Sequence, residues 1–255
     1  RESARIAAAA PLRAMRFTEP GRSEFEIAAE LMHEHGRNNA TTAYQPICGG
    51  GANSCILHYR ENDARLADGD LLLVDAGCEY DYYASDVTRT WPVNGRFSTE
   101  QRAIYQVVLD AHAAAIAEVR PGNPWNQPHE AAVRVVTQGL KQLGLLEGSL
   151  AELLQTRAYQ RFFMHRTGHW LGMDVHDVGD YRIVEEWRVL EPGMTLTVEP
   201  GIYIPAGSRG IAKHWWNIGV RIEDDVLVTK DGCEVMTRDL PVDPDTIEAL
   251  VGAAA

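Results

Sequence analysis

Asp75, Asp86, His169, Glu199 and Glu223 each stand at or beside a strand-like run. Four carboxylates and a neutral imidazole carry a charge of −4, which two divalent cations cancel. Left without metal, the acids would repel and raise one another's pKa. These residue types therefore point to a two-metal site built from hard oxygen donors and one nitrogen.

An internal echo ties them together. Residues 66–77 align without gaps on 190–201, matching at Leu66/Leu190, Gly69/Gly193, Leu72/Leu196, Val74/Val198 and Gly77/Gly201, so Asp75 falls on Glu199. Each copy runs from a Gly turn into an apolar strand, ends in an acid and turns again at Gly. A second strand with another acid follows each copy, at Asp86 and at Glu223. Two half-sites related by an approximate two-fold would bring four acids to a shared axis, where a pair of metals fits.

The elements that must hold these residues read as blocks of strands and helices rather than strict alternation, which favours α+β with an antiparallel sheet. Helices are expected over 24–35, with Phe25, Ala28, Leu31 and Met32 on one face, and from a Ser98/Gln101 capping box to Ala117. Two more are expected over 128–143, closed by Gly144, and over 150–159. At 255 residues and 45% apolar content the chain can bury a full core, and the shared site favours one large domain. A net charge of −12 argues against nucleic-acid or anionic-membrane partners. No run is long enough for a membrane span, and no Gly-rich phosphate loop follows a strand. Four cysteines without CxxC spacing read as reduced thiols of a cytoplasmic protein.

The remaining chemistry is in histidines. His165, His169 and His176 lie in a Gly-punctuated stretch, 162–179, that reads as strand-like, and His58 precedes the first echo strand much as His176 precedes the second. A helical zinc motif is a poor match, because no Glu follows His165 and Gly168 opposes a helix. Arg221 shares a strand face with Glu223 and reads as a cation that orients carboxylates from behind.

Taken together, Leu73–Tyr80, Ser85–Gly95, Gly168–Asp177, Thr197–Tyr203 and Asn217–Asp225 resemble the pita-bread metallopeptidases, most closely the aminopeptidase P (Xaa-Pro aminopeptidase) branch, over about Thr18 to Thr237. The resemblance implies a pita-bread fold, with duplicated halves in pseudo-two-fold symmetry around a curved antiparallel sheet. It implies that residues 18–255 form the catalytic domain, and that 1–17 are the remnant of a linker helix from a missing N-terminal domain. By the same resemblance Asp75 binds one metal, His169 and Glu199 bind the other, and Asp86 and Glu223 bridge them. Mn²⁺ is implied, although the ligands would also accept Co²⁺, Fe²⁺ or Zn²⁺. Water held between the cations would become the nucleophile, with Glu199 as proton shuttle. His58 and His176 would contact the scissile carbonyl, His165 the proline side, and Tyr203 the substrate.

The implied substrates are proline-containing peptides, and the implied partners a second copy of the chain or the missing domain, to which the aromatic loop around Trp215 and Trp216 is suited. Prolidase is the nearest rival, with a non-enzymatic pita-bread binding module behind it; methionine aminopeptidase and creatinase fit less well. Between Glu199 and Glu223 only Arg209 and Arg221 could clamp a dipeptide's carboxylate, and Arg209 sits in a mobile-looking turn. Longer peptides are therefore expected to be better substrates than dipeptides.

Overall fold

The computed structural model describes residues 1–252. Helices α1 (Glu2–Phe17) and α2 (Glu24–Arg37) pack against each other, and α1 buries Ala4, Ile6, Ala7, Ala10, Ala14 and Met15. The buried face of α2 consists of Glu24, Ile27, Ala28, Leu31 and His35, so the expected face is half right: Phe25 and Met32 point outward. Glu24 rotates the helix inward, since its carboxylate accepts bonds from Gly50 N, Asn53 Nδ2, Tyr59 OH and Ala64 N. That many donors offset the cost of burying a charge.

The first half continues with β1 (Thr41–Thr42), β2 (Ile47–Gly50), β3 (Leu71–Ala76), β4 (Cys78–Tyr80), β5 (Tyr83–Ala84) and β6 (Val87–Pro92). β3 is the middle strand between β2 and β6, antiparallel to both, with Asp75 opposite Ile47 on one side and Thr88 on the other. Next come α3 (Thr99–Glu118), α4 (Gln127–Gln142) and the short α5 (Leu150–Gln155). The capping box at Ser98 and Gln101 forms as expected, and α4 ends before Gly144, which adopts φ +73°. The last helix is shorter than its apolar pattern suggested: Arg157 turns left-handed at φ 54° and a single 3₁₀ turn completes the segment. Such a residue stops a right-handed helix.

The second half holds a small exposed hairpin, β7 (Arg182–Ile183) with β8 (Glu186–Trp187), then β9 (Thr195–Val198), β10 (Gly201–Ile204), β11 (Ile218–Arg221), β12 (Asp224–Val228), β13 (Cys233–Val235) and α6 (Pro244–Leu250). β9 and β12 pair antiparallel with Val198 opposite Asp224, and β10 pairs with β11. The echo is thereby explained: in each half the strand ending in the first acid lies antiparallel to the strand that follows the second. An isolated bridge from Thr88 to Glu223 stitches the halves together. The antiparallel α+β architecture is that of a pita-bread fold. Trp215 and Trp216 pack against the core, half-buried, and all four cysteines are free. No helix among the described residues is long and apolar enough to cross a membrane.

Candidate metal centre

Asp75 is the penultimate residue of β3, Asp86 directly precedes β6, Glu199 directly follows β9, and Glu223 directly precedes β12. Strand tips suit such residues, because the ladder fixes the backbone while the side chain escapes the sheet. His169 is placed differently. The stretch 162–179 is irregular, not the expected strand, and meets the sheet only through a bridge from Trp170 to Leu196. Gly residues break its ladder, and the segment is anchored instead by three bonds to β9 and the residue after it: His169 N–H to Thr197 Oγ1 at 3.1 Å, Thr197 N–H to His169 O at 3.0 Å, and Glu199 N–H to Thr167 O at 3.0 Å. Gly168 permits this closeness, since a Cβ there would lie 2.1 Å from the Thr197 carbonyl oxygen. Gly77 does the same in the first half, where a Cβ would lie 1.7 Å from Ser85 O.

The five residues converge. Asp75, Asp86 and Glu223 offer donor atoms within 4.8 Å of one another, as do His169, Glu199 and Glu223, and also Asp86, His169 and His176. His169 Nε2 is 3.3 Å from Asp86 Oδ2 and 3.8 Å from Glu199 Oε1. The electrostatics are those of too many buried acids. Burial, with the neighbouring carboxylates, raises Asp86 and lifts Glu223 well above its ordinary range, and burial holds Glu199 at about 7. His169 rises to about 9: burial opposes its charge, but the Asp86 bond and the Glu199 charge override it. One imidazolium and one guanidinium cannot neutralise four carboxylates, so the donor set fits two hard or borderline divalent cations.

Arg221 is the guanidinium. The expected strand mate Glu223 is not its hydrogen-bond partner: Nη2 donates to Asp75 Oδ2 at 2.6 Å, Nε to Thr88 Oγ1 at 3.1 Å and Nη1 to Tyr203 OH at 3.0 Å. Thr88 Oγ1 in turn donates to Glu223 Oε2 at 2.6 Å. Tyr203, expected against substrate, is completely buried behind this wall and hydrogen-bonded to His165 Nε2 at 2.9 Å. His165 itself lines the cavity, as do His58 and His176 at its rim. Sequence reasoning missed Tyr44, whose hydroxyl reaches both Asp75 Oδ1 and Asp86 Oδ1. One phenolic proton can serve only one of those oxygens, a further sign that a cation belongs between the two acids.

The four acids, His58, His165, His169, His176 and Arg221 line a cavity of about 530 Å³, whose wall also includes Trp125, Tyr181 and Trp187. The model of metallopeptidase family M24 matches residues 1–230. A Xaa-Pro aminopeptidase of Haemophilus influenzae is 47% identical over 251 residues, which cover 98% of this chain and 58% of that protein. Among solved structures, the Pseudomonas aeruginosa aminopeptidase PepP superposes with a TM-score of 0.97 at 58% identity, covering 98% of this chain and 57% of that one. An Escherichia coli aminopeptidase P with the inhibitor Pro-Leu gives 0.96 at 45% identity, with 99% and 57% covered. The chain thus spans a little over half the length of the relatives it matches.

Proposed function

The chain belongs to metallopeptidase family M24, and we propose that it is a dinuclear-metal aminopeptidase hydrolysing the bond between an N-terminal residue and a following proline. The observation that carries this reading is the convergence of five donors on the floor of a cavity rimmed by three histidines, in a chain 47% identical to a Xaa-Pro aminopeptidase. Asp75, Asp86 and Glu223 would hold one ion and His169, Glu199, Asp86 and Glu223 the other, with Mn²⁺ the proposed metal. When bound, such ions neutralise the acids and supply Lewis acidity to water and to the scissile carbonyl.

The chain's own residues do the rest. Glu199, on the cavity wall between His165 and His169, carries a proton between the attacking water and the leaving proline nitrogen. Partial desolvation at the cavity rim lowers the pKa of His176 and favours the neutral ring, whose one N–H can donate to the scissile carbonyl; His58 faces the same space. His165 has both nitrogens engaged. Its Nδ1 lies 2.6 Å from the Arg166 carbonyl, an acceptor, so Nδ1 bears the proton and Nε2 accepts from Tyr203 OH, which accepts from Arg221. Burial and the Arg221 charge push His165 down to about 3 and keep it uncharged. A neutral ring with no spare acceptor suits a prolyl amide, which has no N–H to offer it. Tyr203 and Arg221 act here by positioning.

The test is hydrolysis under saturating Mn²⁺. Ala-Pro-Ala is expected to be cleaved with far higher kcat/KM than Ala-Ala-Ala, and also better than Ala-Pro. Preference for the dipeptide would move the assignment to prolidase, and indifference to proline would refute the Xaa-Pro reading.

A further inference from the structure

Two cavities meet at the acids. The larger, about 530 Å³, contains His165 and the aromatic wall; the smaller, about 270 Å³, lies between Tyr44, Ile47 and Val175. His58, His176, Asp75 and Asp86 border both. An aminopeptidase holds one residue on the amine side of the cleaved bond and the whole remaining peptide on the other, so the smaller space suits the N-terminal residue and the larger the leaving portion.

Arg166 stands on the wall of that larger space, one residue beyond His165. Its guanidinium carbon lies 5.1 Å from the centroid of Trp187, whose ring also carries Arg182 at 4.0 Å. Its Nη2 donates to Asn126 Oδ1, a neutral amide, and Glu130 is on the far side of that amide. Among the described residues Arg166 forms no ion pair, whereas Arg221, the other arginine of this cavity, is committed to Asp75. A planar cation propped by a ring and an amide, and left without an anion beside an acid-rich site, is built to receive a carboxylate. Arg166 directly follows His165, the residue proposed on the proline side, so a carboxylate that it receives would belong to the residue after proline.

We propose that Arg166 selects peptides carrying a carboxylate on the residue after proline, either the C-terminal carboxylate of a tripeptide or an acidic side chain of a longer peptide. This rests on the Xaa-Pro reading above. The experiment compares kcat/KM for Ala-Pro-Ala, Ala-Pro-Ala-amide, Ala-Pro-Glu-amide and Ala-Pro-Gln-amide. A charge-assisted bond to the carboxylate makes the charged member of at least one pair better by roughly tenfold, mostly through KM. In Arg166→Met that ratio falls to about one. Discrimination within the first pair alone identifies the C-terminal carboxylate as the recognised group, and within the second alone the acidic side chain. Equal values within both pairs, or an unchanged ratio in Arg166→Met, overturn the proposal. Should no Xaa-Pro peptide be cleaved at all, it is the parent reading that falls; calorimetry of Pro-Ala against Pro-Ala-amide then decides the Arg166 proposal, and equal Kd values sink it.

Discussion

His169 and His176 have rings only 4.4 Å apart, yet they are expected to behave differently when removed. His169 is pinned by its backbone to β9 between Asp86 and Glu199, whereas His176 is exposed at the rim. His169→Ala should lose bound metal together with activity; His58→Ala and His176→Ala should keep metal and lose about 10²-fold in kcat, the size expected for a donor to a developing oxyanion. Metal loss in His176→Ala equal to that in His169→Ala, measured by elemental analysis, would show that His176 is a ligand. Tyr44 allows a second prediction. Tyr44→Phe removes the hydroxyl that spans Asp75 and Asp86, and should weaken metal affinity by about tenfold, as loss of a group orienting metal ligands does. The acids were legible because the chain repeats them in matched segments. Tyr44 was not, because a lone tyrosine 31 residues before Asp75 carries no spacing signal, and only the fold brings it there.

Elements whose signals are local were read nearly to the residue: the box at Ser98 and the Gly after α4 act within one helical turn. Signals that depend on tertiary partners were not, as the rotated face of α2 and the irregular stretch around His169 show. A buried network behind the site belongs to the same class. Asp224 on β12 accepts from Arg89 Nη2 of β6 at 2.8 Å and from Thr237 Oγ1 at 2.5 Å, and lies 3.0 Å from His112 Nε2 of α3. Arg89 also donates to the carbonyl of Glu223 at 2.6 Å, so the network fixes the backbone of a proposed metal ligand. Burial opposes the Asp224 charge, but Arg89 and the hydrogen bonds outweigh it and hold the acid below its ordinary range. A depressed acid contributes stability above its unfolded pKa, which is lost as pH falls below about 4. Asp224→Asn leaves Arg89 buried without its counter-charge and should cost about 3–5 kcal/mol in denaturant melts at pH 7. A cost below about 1 kcal/mol would mean that the network is incidental.

At the scale of the whole molecule, charge sets how the two halves hold together. Buried histidines contribute in acid: His35, with neither ring nitrogen bonded, is pushed down to about 4 by burial. Its folded form resists a proton that the unfolded chain accepts, so stability falls as pH drops from about 6.5 toward 4, by up to about 3 kcal/mol. His35→Leu should flatten that part of the stability profile, and an unchanged slope would refute the assignment. The acids act at neutral pH. Asp75 and Asp86 come from one half and Glu199 and Glu223 from the other, and protein contacts already cross the seam through the Thr88–Glu223 bridge, the Asp86 N–H to Asp225 at 3.1 Å, and Arg221 to Asp75. In a chain of net charge −12, cations at this seam remove repulsion that only the folded state suffers. One ion at about a thousand times its Kd adds about 4 kcal/mol, or roughly 10 °C in Tm for a chain of this size. Exhaustive chelation should therefore abolish peptidase activity and lower Tm by at least that much, with amide-exchange protection falling in β3, β6, β9 and β12 together. Full activity and an unchanged Tm after chelation would refute the two-metal reading. Loss of protection in only one half would mean that each half carries its own ion and that neither Asp86 nor Glu223 joins them.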